Sequence, residues 1–215
     1  MAATWVYLMR HGEVEGAAEG RFFGHTDVPL SPTGIRQAEA LARALAMEPI
    51  EAVYASDLRR ARESATPLAR ARGLVPVVVP ALREVAMGRW ESLTFREIRD
   101  REPDALREWL ADPVRFPFPD GENLEDLRVR IMPTLGAILA RHEGRRVAVV
   151  AHGGSNRVVL AEALGMPLAN ALRLAQDYAC LSLIEYRDRG AVVHSLNQRV
   201  TGIAGVEPVE RSVRE

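Results

Sequence analysis

The chain has 215 residues, 47% of them hydrophobic, which suits one large domain with a full-sized core. Lys plus Arg number 28 against 29 for Asp plus Glu, a net charge of -1, so no basic field argues for nucleic acid or an anionic membrane as partner. One cysteine, Cys180, excludes an internal disulfide framework, no apolar run approaches the roughly 18 residues needed to cross a bilayer, and no signal-peptide pattern opens the chain, so a cytoplasmic protein is expected.

The apolar run Thr4 to Leu8 predicts a first strand, ending in Met9-Arg10-His11-Gly12-Glu13. Reactive groups at the C-terminal edge of a strand are where open α/β sheets keep their sites. Arg10 suits oxyanion binding, while His11 can act as nucleophile, base or metal ligand. Both could equally be a salt-bridged pair in a core. A long loop, Gly16 to Pro29, is expected to lack structure and to wall the site, with Phe22 or Phe23 as its hydrophobic anchor.

Ser31 as N-cap and Pro32 at the first helical position start a helix to about Met47, with Ile35, Ala38, Leu41, Ala42 and Leu45 on its buried face. Ile50 to Ala55 reads as a second strand, and Ser56-Asp57-Leu58-Arg59-Arg60-Ala61 turns into a second helix capped by its own side chains. If the two strands are neighbours, Arg10 and Arg60 can converge on one anion. Val75 to Val79 is a short β-branched run. Leu82 to Glu91 is loop, in which Glu84 lies between apolar residues; such surroundings favour the protonated form of a carboxyl group and suit a general acid.

Thr94 to Arg101 and Asp104 to Leu110 read as short helices, and the proline-rich 112–121 connection excludes helix, so about 94–121 is expected to be an insertion capping the site. A helix from about Asn123 to His142 follows, with a kink expected at Pro133. Arg146 to Ala151 is the most strand-like run and ends at His152-Gly153-Gly154, with Ser155 expected to cap a helix from Asn156 to Leu164 and its amides expected to favour an anion. A helical piece near Pro167 to Leu174 and strands Ala179 to Tyr186 and Ala191 to Leu196 complete the α/β pattern. Cys180 is expected as a buried strand residue. Residues 201–215 are expected to form a loose tail.

Taken together, Arg10-His11-Gly12-Glu13 after the first strand, Ser56 to Ala61 after the second, Leu82-Arg83-Glu84 before a glycine, and His152-Gly153-Gly154 after a late strand resemble the histidine phosphatase superfamily, the phosphoglycerate mutase-like proteins. The resemblance runs from about Thr4 to Leu196. It implies a three-layer α/β/α sandwich with a mostly parallel central sheet, in one domain over 1–200. It also implies that His11 is the nucleophile that becomes a phosphohistidine, that Glu84 is the acid and later the base, and that Arg10, Arg60 and His152 hold the phosphoryl oxygens. Phe23, Gly24 and Gly153 are implied as further substrate contacts, the substrate being a small phosphate ester.

No cofactor is expected. A metal site on His11 and His152 is disfavoured, because adjacent arginines repel a divalent ion. The segment Glu84-Val85-Ala86-Met87-Gly88 lacks the groups by which phosphoglycerate mutases recognise their substrate. The Glu84, Gly88, Trp90, Glu91 pattern resembles instead small phosphatases such as α-ribazole phosphatase, so hydrolysis is expected over phosphotransfer. A non-catalytic phosphate-binding module would have no use for Glu84. Two departures stand out: Ala17 and Phe23 occupy positions where the family commonly has polar residues near the phosphate, and Phe23 is expected to favour a substrate with an apolar body. The oligomeric state is left open, a homodimer included.

Overall fold

The computed structural model describes residues 2–200, and the tail expected over 201–215 lies outside them. Six strands form one sheet in the order β3-β2-β4-β1-β5-β6. These are β1 (Thr4–Arg10), β2 (Ala52–Ala55), β3 (Val77–Val78), β4 (Arg146–Ala151), β5 (Leu181–Arg187) and β6 (Gly190–Gln198). β1 to β4 run parallel, and β5 and β6 add antiparallel on the β1 side.

The period-two alternation of a strand explains the layers. In β1, Val6 and Leu8 face one core while Tyr7 and Met9 face the other; in β4, Val147 and Val149 oppose Ala148 and Val150 in the same way. On one side α1 (Pro32–Ala44) and α2 (Arg59–Ala71) contribute Leu41, Ala42, Ala61, Ala65 and Leu68. On the other, α5 (Leu124–Arg141) and α6 (Gly153–Ala163) contribute Leu127, Ile131, Leu135, Val158 and Leu160. The result is the expected three-layer sandwich with a mostly parallel sheet. Among the described residues no helix is long and apolar enough to cross a membrane.

Residues 94–121 hold α3 (Phe95–Arg101), α4 (Pro103–Ala111) and the proline-rich connection. They pack on the second core through Trp109, Phe116 and Phe118, which surround the fully buried Trp90 at ring-centroid distances of 6.1, 6.3 and 5.4 Å. Phe22 meets Trp109 edge-on at 6.4 Å and is thus the hydrophobic anchor of its loop.

Several local expectations are corrected. Ile35 is 48% exposed, because the buried stripe of α1 runs through Gly34, Ala38, Leu41 and Ala42. The loop from Gly16 to Pro29 is not structureless: it contains a 3-10 turn, Ala17–Glu19, and is flanked or pinned by the bridges Val14 to Leu30 and Arg21 to Thr94. α2 is not capped by its own side chains; Asp27 of that loop accepts from the Arg59 N–H at 2.5 Å. The helical piece expected near Pro167 is present, as a 3-10 helix, Leu168–Arg173.

Candidate active site

Three parallel strands end together. Arg10 of β1 is in register with Ala151 of β4, and Ala55 of β2 with Val150 of β4. β4 therefore lies between β1 and β2, so the two arginine-bearing strands are not neighbours as the sequence left open. The consequence is that His152, directly after β4, falls between Arg10-His11 and Arg60, which sits in the first turn of α2. The His11 and His152 ring centroids are 5.1 Å apart.

His11 is buried, and its Nδ1 lies 2.8 Å from the Gly12 carbonyl oxygen. A carbonyl only accepts, so Nδ1 carries the proton and the lone pair is on Nε2. Burial, and then the charges of Arg60 and Arg10, hold its pKa well below the ordinary 6.5, so the ring is neutral at neutral pH. His152 is fully buried and shows the opposite tautomer. Arg60 Nε donates to its Nδ1 at 3.3 Å, which puts the proton on Nε2, a buried atom with no protein partner. Burial, Arg60, His11 and Arg10 hold its pKa down as well. One ring offers a nucleophilic nitrogen and the other a donor.

Arg60 also holds protein partners that the sequence did not suggest. Its Nη1 donates to the Thr26 carbonyl at 2.7 Å, and its Nη2 to the carbonyls of Gly24 at 2.6 Å and Phe23 at 3.3 Å. A guanidinium has five N–H groups, so with Nε on His152 a single one is left over. Arg60 is chiefly a strut between the 22–27 loop and His152, and its buried charge is offset by Glu84, Glu91 and Asp27. Arg10 is freer. One nitrogen, Nη1, donates to the Gln176 carbonyl at 2.5 Å, the guanidinium stacks 4.1 Å over the Tyr178 ring, and Nε is buried without a partner.

Glu84 is buried, yet its surroundings are polar where apolar ones were expected. Oε2 accepts from the Gly154 N–H at 2.8 Å, and Oε1 from Val85 at 2.9 Å and Ser155 at 3.2 Å. α6 starts at Gly153, three residues earlier than expected, with His152 as N-cap; Ser155 does not cap it but donates to the Arg83 carbonyl. The amides at that helix N-terminus are thus taken by the chain's own Glu84 carboxyl group. A Cβ on Gly154 would collide with Oε1, which is why glycine stands there.

Of the other expected contacts, Gly24 gives its N–H to Glu91 Oε2 at 3.1 Å and packs so closely on the Val85 carbonyl and the Glu91 carboxylate that no side chain fits. Its role is structural closeness, not a free amide. Phe23 lends its carbonyl to Arg60, and its ring tip lies by Gly16. Gly16 and Ala17 help line a cavity of about 330 Å³ that also includes Glu13, Glu15, Ser31 and Tyr178. Gly153 sits between Arg10 and Arg157.

Two residues were missed by sequence reasoning. Glu91 accepts from the N–H groups of Gly24, His25, Thr26 and Met87 and from the Thr26 hydroxyl, at 2.5 to 3.2 Å. Burial raises its pKa, but these donors outweigh that and leave it below the usual carboxylate value. Nothing in its spacing announces this, since four of the five donors come from a loop about 66 residues away in sequence. Arg157 did carry a signal: it lies four residues after Gly153 in a helix, hence one turn above it. Cys180 is buried as expected but lies just before β5 and not within a strand, and burial raises its thiol pKa. Among the described residues no three His, Cys, Asp or Glu side chains are grouped to hold a metal.

The chain is 30% identical over 190 residues to phosphoserine phosphatase 1 of Hydrogenobacter thermophilus, covering 88% of this chain and 90% of that protein. The α-ribazole phosphatase of Shigella flexneri superposes with a TM-score of 0.85 at 26% identity, covering 94% of this chain and 100% of that one. A mycobacterial glucosyl-3-phosphoglycerate phosphatase superposes with a TM-score of 0.82 at 29% identity, covering 91% and 99%. The model of the histidine phosphatase superfamily (branch 1) matches residues 6–199, and the chain belongs to that superfamily.

Proposed function

We propose that this chain hydrolyses small phosphomonoesters without a metal, through a phosphohistidine on His11. The observation that carries the reading is the opposed pair of imidazoles: His11 is held neutral with its lone pair on Nε2, and His152 with its proton on Nε2. Phosphoryl transfer asks a protein mainly for alignment and positive charge. Arg10, with an unpartnered Nε, and the buried charge of Arg60 supply the charge that a divalent ion supplies elsewhere.

In the first step His11 Nε2 attacks phosphorus in line, the bond from phosphorus to the ester oxygen breaks, and protonated Glu84 gives its proton to the departing alkoxide. His152 Nε2–H and Arg10 steady the equatorial oxygens. In the second step Glu84, now a carboxylate, takes a proton from water as the water oxygen attacks phosphorus, and the P–N bond to His11 breaks. Inorganic phosphate leaves and both residues are restored. The 94–121 segment caps the site on this reading, and Phe23 and Gly153 border the substrate. The relatives named as phosphoserine, α-ribazole and glucosyl-3-phosphoglycerate phosphatases support hydrolysis of small esters as the activity.

The test is release of inorganic phosphate from a panel of phosphomonoesters in the presence of a chelator, with His11→Ala as control. Release that persists with chelator and vanishes in the variant is expected. Transfer of phosphate from a bisphosphate to a monophosphate acceptor with no release to water would overturn hydrolysis in favour of a mutase.

A further inference from the structure

Arg157 has no task in the reaction just described, although it stands within the same group of residues. Its Nε–H donates to the Leu174 carbonyl at 2.8 Å, which fixes the guanidinium and leaves its two Nη atoms to act. The point that a Cβ on Gly153 would occupy is 3.2 Å from Arg157 Nη1 and 3.5 Å from Arg10 Nε. The two guanidinium groups thus lie side by side across a glycine. Both are tethered to one segment, Arg157 through the Leu174 carbonyl and Arg10 through that of Gln176.

This arrangement is electrostatically costly as it stands. Arg157 is half-buried, and among the described residues it forms no ion pair with a carboxylate. Burial lowers its pKa, the nearby charge of Glu84 acts in its favour, and that of Arg10 acts against it. A desolvated cation beside a second cation is relieved when an anion enters. The phosphoryl group meets Arg10 and His152. Gly154, the residue after Gly153, donates its N–H to Glu84 Oε2 at 2.8 Å, so Arg157 stands beside the group that serves the leaving oxygen and within reach of the alcohol. The cavity that Glu13, Glu15 and Tyr178 line holds two acidic residues and disfavours a negative substituent.

We propose that Arg157 binds a second anionic group, carboxylate or phosphate, carried by the leaving alcohol, so that the preferred substrates are phosphomonoesters of acidic alcohols. This rests on the assignment of His11 and Glu84 above and deepens it. The planar fork of arginine matches both anions, whereas a lysine at this position would offer only a point charge.

The experiment compares pairs that differ in one anion: 3-phosphoglycerate against glycerol 3-phosphate, and fructose 1,6-bisphosphate against fructose 1-phosphate. The wild-type protein and Arg157→Gln are assayed for kcat and KM. A charge-assisted hydrogen bond corresponds to about 10- to 100-fold, so the acidic-to-neutral ratio of kcat/KM should fall by at least about tenfold in the variant, mainly through KM. The first pair reports a carboxylate subsite and the second a phosphate subsite. An unchanged ratio in both pairs overturns the proposal, because a structural role or a contact to the transferred phosphoryl group would lower both members alike.

Binding of the same esters to His11→Ala, with and without Arg157→Gln, reads the subsite independently of turnover. If the wild-type chain releases no phosphate from any ester while this preference persists, the phosphatase reading fails and the anion subsite stands. If His11→Ala binds acidic and neutral esters equally, the subsite is refuted whatever the turnover.

Discussion

Arg60 Nε donates to His152 Nδ1 at 3.3 Å, and through this bond a residue of α2 decides which nitrogen of a residue after β4 carries the proton. The donor is itself immobilised by three carbonyls from Phe23, Gly24 and Thr26. Arg60→Lys keeps the charge but cannot reach His152 and the loop together. The expected outcome is a loss of about 100-fold in kcat/KM, as for removal of one oriented donor in an anion site. An ¹⁵N spectrum should show the His152 ring as a mixture of tautomers. A pure Nε2–H form in that variant would contradict the role assigned to Arg60.

Glu91→Gln tests the next link outward. A glutamine offers one acceptor oxygen where the carboxylate accepts five hydrogen bonds from Gly24, His25, Thr26 and Met87. The variant should lose about 2 kcal/mol of stability in urea unfolding and bind vanadate more weakly, because the carbonyls that grip Arg60 belong to the same loop. Loss of stability with unchanged vanadate affinity would detach Glu91 from the site.

Glu84→Gln separates acid catalysis from binding. The amide cannot protonate an alkoxide, and a good leaving group does not need it to. The variant should lose about 1,000-fold in kcat on an alkyl phosphate and less than about tenfold in phosphohistidine formation from p-nitrophenyl phosphate. Equal losses on both esters would assign the residue to positioning.

The two histidines also set a pH dependence. In the folded chain both pKa values lie well below 6.5, while in the unfolded chain both rings take up a proton near 6.5. The unfolded state therefore binds more protons below that point. Stability from these groups is fully present above pH 6.5 and falls as the pH drops toward the folded values, by up to about 2.7 kcal/mol per pH unit for the pair. Urea unfolding between about pH 8 and pH 5 checks the slope. The same shifts keep His11 unprotonated, so the acid limb of kcat/KM should lie well below 6.5; a limb at 6.5 would mean that His11 titrates as if exposed.

Much of this protein is written locally. The runs Thr4 to Leu8 and Arg146 to Ala151 read as buried strands because β-branched and apolar residues fill both faces, and they are β1 and β4. The turns after them carry His11 and His152 because glycines there let the chain fold back, and the resemblance to the superfamily implied Arg10, His11, Arg60, Glu84 and His152 as a set. Helix α1, with Ser31 as its cap, was equally legible, since the Ser31 side chain accepts from the Gly34 N–H three residues on.

What the sequence could not decide were relationships between distant segments. Strand order, with β4 between β1 and β2, fixes His152 at the centre of the site, and no local signal encodes adjacency. The caps of α2 and α6 come from Asp27 and Glu84, at separations of 32 and 70 residues, because a helix N-terminus takes whichever carboxylate the fold brings to its amides. For the same reason Glu84 sits among amides although its sequence neighbours are apolar. The fork of Arg60 is spent mostly on a loop and on His152, with one N–H left over, and Arg157 stands beside Arg10. Residue type, spacing and the family resemblance thus named the groups with the right chemistry, and only the packing of distant segments determined which partner each one holds.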